Sequence, residues 1–82
     1  MILKEETIHP FRIQLIEQIG KDGNPFYIRR SAEIFPNGKE VNITTQYYFT
    51  YDQAKEAYLW NLKNLTQNKE NLIKNNFTNP SG

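Results

Sequence analysis

The dipeptide Asn37-Gly38 constrains the fold more than any other feature of this chain. Residues 26–35 and 41–49, which flank it, alternate between apolar and polar side chains, and Asn-Gly between two such stretches is typical of a two-residue hairpin turn. This turn would place Ile34 opposite Val41 and Ile28 opposite Tyr47. Apolar residues then meet apolar residues across the pair, so turn and pattern predict the same hairpin.

A third strand is predicted from Phe11 to Ile19, which alternates with the same period. The turn-forming run of residues 20–25 ends it. A register that pairs Ile19 with Ile28 is preferred because it sets Glu17 opposite Arg30, and a register shifted by two residues stays open. The residues expected to face the core are Phe11, Ile13, Leu15, Ile19, Phe26, Ile28, Ala32, Ile34, Val41, Ile43, Thr45, Tyr47 and Phe49.

A helix is predicted to begin after Thr50, since Thr50 and Gln53 have the spacing of a capping box. Its apolar stripe comprises Ala54, Ala57, Tyr58, Leu62, Leu65 and Leu72. Asn64, Thr66 and Asn68 have weak helical propensity, so a bend or break there is an open alternative. We therefore expect an α+β fold, a three-stranded antiparallel meander (β-β-β-α) with a long C-terminal helix packed on one sheet face. Residues 1–10 are expected to be a lead-in, 11–75 a single domain and 76–82 a flexible tail.

Composition narrows the function classes. Ten basic residues against nine acidic residues give a net charge of +1, which is not typical of a chain built around a polyanion. There is no cysteine and one histidine, His9, so we expect no enzyme, no cofactor and no metal site. We also expect a cytoplasmic protein, because there is no apolar run long enough to cross a membrane and no signal-peptide pattern.

The sheet face turned away from the helix is the first candidate binding surface. It should carry Arg12, Gln14, Tyr27, Arg29, Gln46 and Tyr48. Aromatic rings, arginines and amides are favoured in protein interfaces, although a solvated sheet face would look the same. Trp60 is a second candidate, since it lies off the helical stripe. It either covers the edge of the sheet or is an exposed anchor for a partner, and Leu59 beside it favours a partner or dimer contact.

Part of the chain resembles a known DNA-binding family. Ala32-Glu33-Ile34, Pro36-Asn37-Gly38-Lys39, and Phe49-Thr50 followed by Ala54, Ala57 and Tyr58 resemble the plant ethylene-response-factor DNA-binding domain. The chain is similar, more loosely, to the arm-binding domains of phage-type integrases. The resemblance implies three antiparallel strands and a helix, with the uncovered sheet face in the major groove. Arg12 and Arg29 would then contact DNA.

Two functions follow as expectations. The first is a small non-catalytic module that binds a protein partner, as a regulator or inhibitor, through the polar sheet face or the helix edge at Trp60. The alternative is a DNA-binding domain that reads the major groove with its sheet. A homodimer is compatible with both.

Overall fold

The computed structural model describes the backbone of residues 1–78 and the side chains of residues 1–67. Four strands precede one helix. They are β1 (Ile2–Ile8), β2 (Phe11–Ile19), β3 (Pro25–Ile34), β4 (Glu40–Tyr48) and α1 (Tyr51–Thr78). The strands form one antiparallel sheet in the order β1-β2-β3-β4. The α+β class and the C-terminal helix are confirmed, but the expected three strands are wrong, because residues assigned to the lead-in form β1.

Strand β1 pairs with β2 through a two-residue turn at His9-Pro10, whose peptide bond is cis. The pairing sets Ile8 opposite Phe11, and the N-terminal ammonium of Met1 donates to the carbonyl oxygen of Glu17, 2.8 Å away. Lys4, Glu5 and Glu6 interrupt the alternation of β1, which is why this strand is hard to see in the sequence. These residues form a strand because they can pair with the backbone groups along the edge of β2 that β3 does not occupy.

The register between β2 and β3 differs from both predicted registers. Leu15 lies opposite Arg29 and Ile19 opposite Pro25, so Glu17 faces Tyr27 and not Arg30. The turn is a three-residue loop, residues 21–23, closed by the backbone bond from Gly20 N to the Asn24 oxygen. This register differs by an odd number of residues from the predicted ones. The side chains of β3, and those of β4 after the bulge at Asn42, therefore lie on the opposite sheet face, relative to β2, from the one predicted.

The β3–β4 hairpin keeps most of its predicted pairs but reaches them differently. Ile28 lies opposite Tyr47 as predicted, whereas Val41 lies opposite Glu33 and not Ile34. The loop has three residues, 36–38, and Gly38 takes a positive φ of 86°. A bulge follows at Asn42, whose φ is 51°. The longer loop shifts the register by one residue, and the bulge shifts it back.

Helix α1 covers the predicted face of β2, but it covers the face of β3 and of most of β4 that was predicted to be open. Ile13 and Leu15 of β2 and Ala54 and Tyr58 of α1 form the buried core. Around it pack Tyr27, Tyr48, Tyr51, Leu62 and Leu65. Most of the residues of β3 and β4 that were expected to face the helix therefore lie on the helix-free face. These are Phe26, Ile28, Ala32, Ile34, Ile43, Thr45 and Tyr47. Ile28 and Ala32 are still buried there by neighbouring side chains of the sheet.

The start of α1 is as predicted. The Thr50 hydroxyl accepts from the Gln53 backbone N–H at 3.2 Å, the bond expected of an N-cap. The helix continues without interruption to Thr78, so the alternative of a break at residues 64–68 is wrong. The side chain of Leu72 lies outside the described part of the structure. The same is true of residues 79–82 of the predicted tail. None of the helical segments described is both long and apolar enough to span a membrane.

Candidate functional site

The predicted binding face does not exist as a single surface. Arg12 and Gln14 lie on the helix-free face, where Arg30 also lies, since Gln14 is opposite Arg30 in the register. Tyr27, Arg29, Gln46 and Tyr48 lie on the face that carries α1. Placing all six on one exposed face was therefore wrong, and the cause is the register of the first hairpin. Whether any of these residues binds a partner stays a prediction.

Arg29 is enclosed between sheet and helix. It is 7% exposed, and its guanidinium donates a hydrogen bond to the side-chain oxygen of Asn61 in α1. A buried charged group needs such a partner, because its loss from water is otherwise unfavourable. Arg29 therefore positions the helix and cannot lie on a nucleic acid surface in this arrangement.

The two other arginines are held by carboxylates on the helix-free face. Arg30 Nη1 lies 2.8 Å from Glu40 Oε2, and this hydrogen bond holds the pKa of Glu40 below its ordinary value. Arg12 Nε lies 3.5 Å from Glu5 Oε1. That separation makes an ion pair without hydrogen-bond geometry, and Nε has no hydrogen-bond partner among the described residues. Neutralising a phosphate backbone requires several basic groups free on one face, and these two are already compensated.

The two tyrosines of the predicted face are structural as well. The Tyr27 ring packs edge-on against Tyr51 at the start of α1, with ring centroids 5.8 Å apart. Partial burial, together with the neighbouring Glu17 carboxylate, raises the pKa of Tyr27. Tyr48 packs at the rim of the core, and its hydroxyl donates to Gln46 Oε1 at 2.7 Å. Both rings fix the entry of the chain into α1.

Trp60 is, with Gln46, a predicted site residue that the structure leaves exposed. It is 63% exposed, and Leu59 beside it is 48% exposed. Both line an open groove of about 660 Å³ between α1 and the end of β4. We call this the β4–α1 groove; its lining is Tyr48, Gln53, Glu56, Ala57, Leu59, Trp60 and Lys63. Trp60 therefore both flanks the sheet and presents a free aromatic surface.

Strand β4 forms the edge of the sheet beside this groove, and its sequence is unusual for an edge. No charged residue occurs between Glu40 and Asp52. Ile43 and Tyr47 are 51% and 68% exposed. The other edge, β1, carries Lys4, Glu5 and Glu6 in its middle. Charges and bulges on an edge strand oppose pairing with another chain, so β1 is protected in its middle, whereas β4 is protected only at its start, by Glu40 and the bulge at Asn42. The sequence alone does not show this contrast between β1 and β4, because the contrast depends on which strands lie at the edges of the sheet.

Clusters of acidic, histidine or cysteine side chains that could hold a metal are not found in the described part of the chain. Comparison with protein-family models, curated proteins and solved structures gave no match. The β4–α1 groove, formed by an exposed tryptophan beside a sheet edge that is uncharged from residue 41 onward, is the candidate site.

Proposed function

We propose that this domain is a non-catalytic protein-binding module and that its contact surface is the β4–α1 groove. The observation that carries the proposal is the exposed Trp60 in a groove lined by Tyr48, Ala57 and Leu59. Tryptophan and tyrosine supply large contact area with little loss of side-chain entropy, and they dominate the binding energy of many protein interfaces. Glu56 and Lys63 supply a charged rim around this apolar centre.

The test compares three proteins, immobilised at the C-terminus and exposed to a lysate of the source organism. They are the wild type, Trp60→Ala and Ile19→Ala. Ile19 is the matched control, since it is 65% exposed but lies at the end of β2 and does not line the groove. Captured proteins are quantified by mass spectrometry, and circular dichroism checks that each variant is folded.

We expect the wild type and Ile19→Ala to enrich the same protein. Trp60→Ala should weaken that capture by about 2 kcal/mol, roughly thirtyfold in affinity. Equal capture by Trp60→Ala and the wild type would show that the groove is not the contact surface.

The DNA-binding alternative has a separate measurement. Anisotropy of a labelled mixed-sequence duplex, titrated with the protein at low and moderate salt, should show no binding if the module serves a protein partner. Binding that weakens steeply with salt would favour the alternative. The engaged Arg12, Arg29 and Arg30 argue against that outcome.

A further inference from the structure

We propose that the occupant of the β4–α1 groove is a second copy of this chain, joined through antiparallel pairing of the two β4 strands. The inference rests on the proposed function, since it names the partner of the same surface. It would produce one continuous sheet of eight strands with both helices on the same side.

The outer edge of β4 is unpaired in the described part of the single chain. Among the described residues, no strand pairs with this edge, so backbone donors and acceptors along it face solvent. Residues 41–51 are rich in β-branched and aromatic side chains and contain no charge or proline. Natural edge strands usually carry a device that prevents such pairing. In β4 such devices, Glu40 and the bulge at Asn42, lie only at the start of the strand, and an edge as unprotected as residues 43–48 is typical of a strand that pairs in the working assembly.

The sequence of β4 is also complementary to itself. A two-fold axis through Thr45, perpendicular to the sheet, would place Ile43 opposite Tyr47 of the second copy and Thr44 opposite Gln46. Ile43 and Tyr47 lie on the helix-free face, and both are exposed in the single chain. A β-branched residue opposite an aromatic ring stabilises a sheet, and the symmetry makes this pair twice. Thr44 and Gln46 would form the polar pair on the other face.

The groove fits the same symmetry axis. Arg29 lies opposite Gln46 in the sheet and binds Asn61 in the helix, so Asn61 and its neighbour Trp60 lie close to the level of Thr45. Glu56 is about one helical turn before Trp60 and Lys63 about one turn after it. A two-fold axis near Trp60 therefore sets Glu56 of each copy opposite Lys63 of the other. The charges on the rim of the groove are complementary under the symmetry that aligns the strands.

The area buried in a stable dimer interface must include surface from the helices. A stable interface buries about 1,200–2,000 Å² in total, more than two short strands provide. The helices must contribute, and the exposed rings of Trp60 are available beside the edge to do so. Strand pairing and groove thus form one surface.

The experiment is sedimentation equilibrium of the full chain over micromolar to submillimolar concentrations. Wild type is compared with Thr45→Lys, Trp60→Ala and Gln18→Lys. Thr45→Lys sets two like charges against each other at the axis and should raise the dimer dissociation constant at least about tenfold. Trp60→Ala should raise it as well. Gln18→Lys is the matched control, since it adds the same charge on the helix-free face but in β2.

Concentration-dependent dimers of the wild type and Gln18→Lys, lost in Thr45→Lys, would support the inference. Amide exchange gives a second readout, because the alternate amides between Thr44 and Tyr47 that point away from β3 should be protected only at concentrations where the dimer forms. A wild type that stays monomeric, or a dimer insensitive to Thr45→Lys, would overturn it. A monomer that still captures another protein through Trp60 would overturn the second copy as occupant and leave the proposed function standing.

Discussion

Arg29 carries a positive charge into the contact between sheet and helix. Its register position opposite Leu15 directs the side chain toward α1, where Asn61 accepts its hydrogen bond. Arg30, one residue later, points to the other face and pairs with Glu40. Two adjacent arginines therefore have different roles, and the strand alternation alone decides which is buried.

Replacing Arg29 should test its structural role. We expect Arg29→Ala to lower the free energy of unfolding by about 1.5–3 kcal/mol, because a hydrogen bond to a charged group and the packing of the side-chain stem are both lost. Arg12→Ala is the matched control, and its exposed ion pair with Glu5 should contribute less than about 1 kcal/mol. Urea unfolding measures both. Equal, small decreases in the free energy of unfolding would mean that the Arg29 side chain is exposed to solvent. Arg29 would then again be a candidate binding residue.

The hairpins show that turn length and strand register must be considered together. In the β3–β4 hairpin the extra loop residue at Gly38 is offset by the bulge at Asn42, so the outer pairs match the prediction although the turn does not. In the β2–β3 hairpin the loop also has three residues, and no bulge offsets it. Asp22 Oδ1 accepts from the Asn24 N–H in that loop, and this bond lowers the pKa of Asp22.

The bulge gives a prediction at this scale. Asn42 has a φ of 51°, in a region that asparagine tolerates and that a β-branched residue rarely adopts. Asn42→Val should therefore destabilise the protein by about 1–2 kcal/mol. Thr44→Val, two residues along the same strand, should change stability by less than about 0.5 kcal/mol. Thermal unfolding at low protein concentration compares them, and equal effects would mean that the bulge is not required.

Four of the five elements described could be read from the sequence; β1 could not, because Lys4, Glu5 and Glu6 interrupt its alternation, and neither could the register between β2 and β3. Alternation located β2, β3 and β4, and Thr50 located the start of α1. The face that α1 covers depends on whether the loop after Ile19 adds an odd or an even number of residues, and the turn formers from Gly20 to Asn24 permit both. Tyr27 and Arg29 were therefore predicted to be exposed. Trp60 was found because its helical position is independent of the sheet register.

The whole molecule has two unlike sheet faces. One packs against α1 around Ile13 and Leu15, and the other is open and includes Ile43 and Tyr47. The open face still buries Ile28 and Ala32 in the middle of the sheet. A chain of this length has a small free energy of unfolding, about 4–12 kcal/mol. A single core residue therefore contributes a large fraction of that free energy.

A matched pair of substitutions tests which face is covered. Ile13→Ala should cost about 2–5 kcal/mol, because Ile13 is fully buried beneath the helix. Ile43→Ala removes the same atoms from a residue that is half exposed and should cost less than about 1 kcal/mol. Both are measured by urea unfolding at low protein concentration, where association does not contribute. The opposite order would mean that α1 packs on the other face.

The unlike edges of the sheet set a limit on growth. A sheet with two bare edges can add copies on both sides and extend into a fibre. Here the charges of Lys4, Glu5 and Glu6 cap one side. Joining the two β4 edges consumes the bare side of both copies, and only capped sides remain outward. In the proposed dimer, assembly through β4 would therefore terminate at two chains, and replacing the three β1 charges with threonine would convert a self-limiting pair into an open polymer.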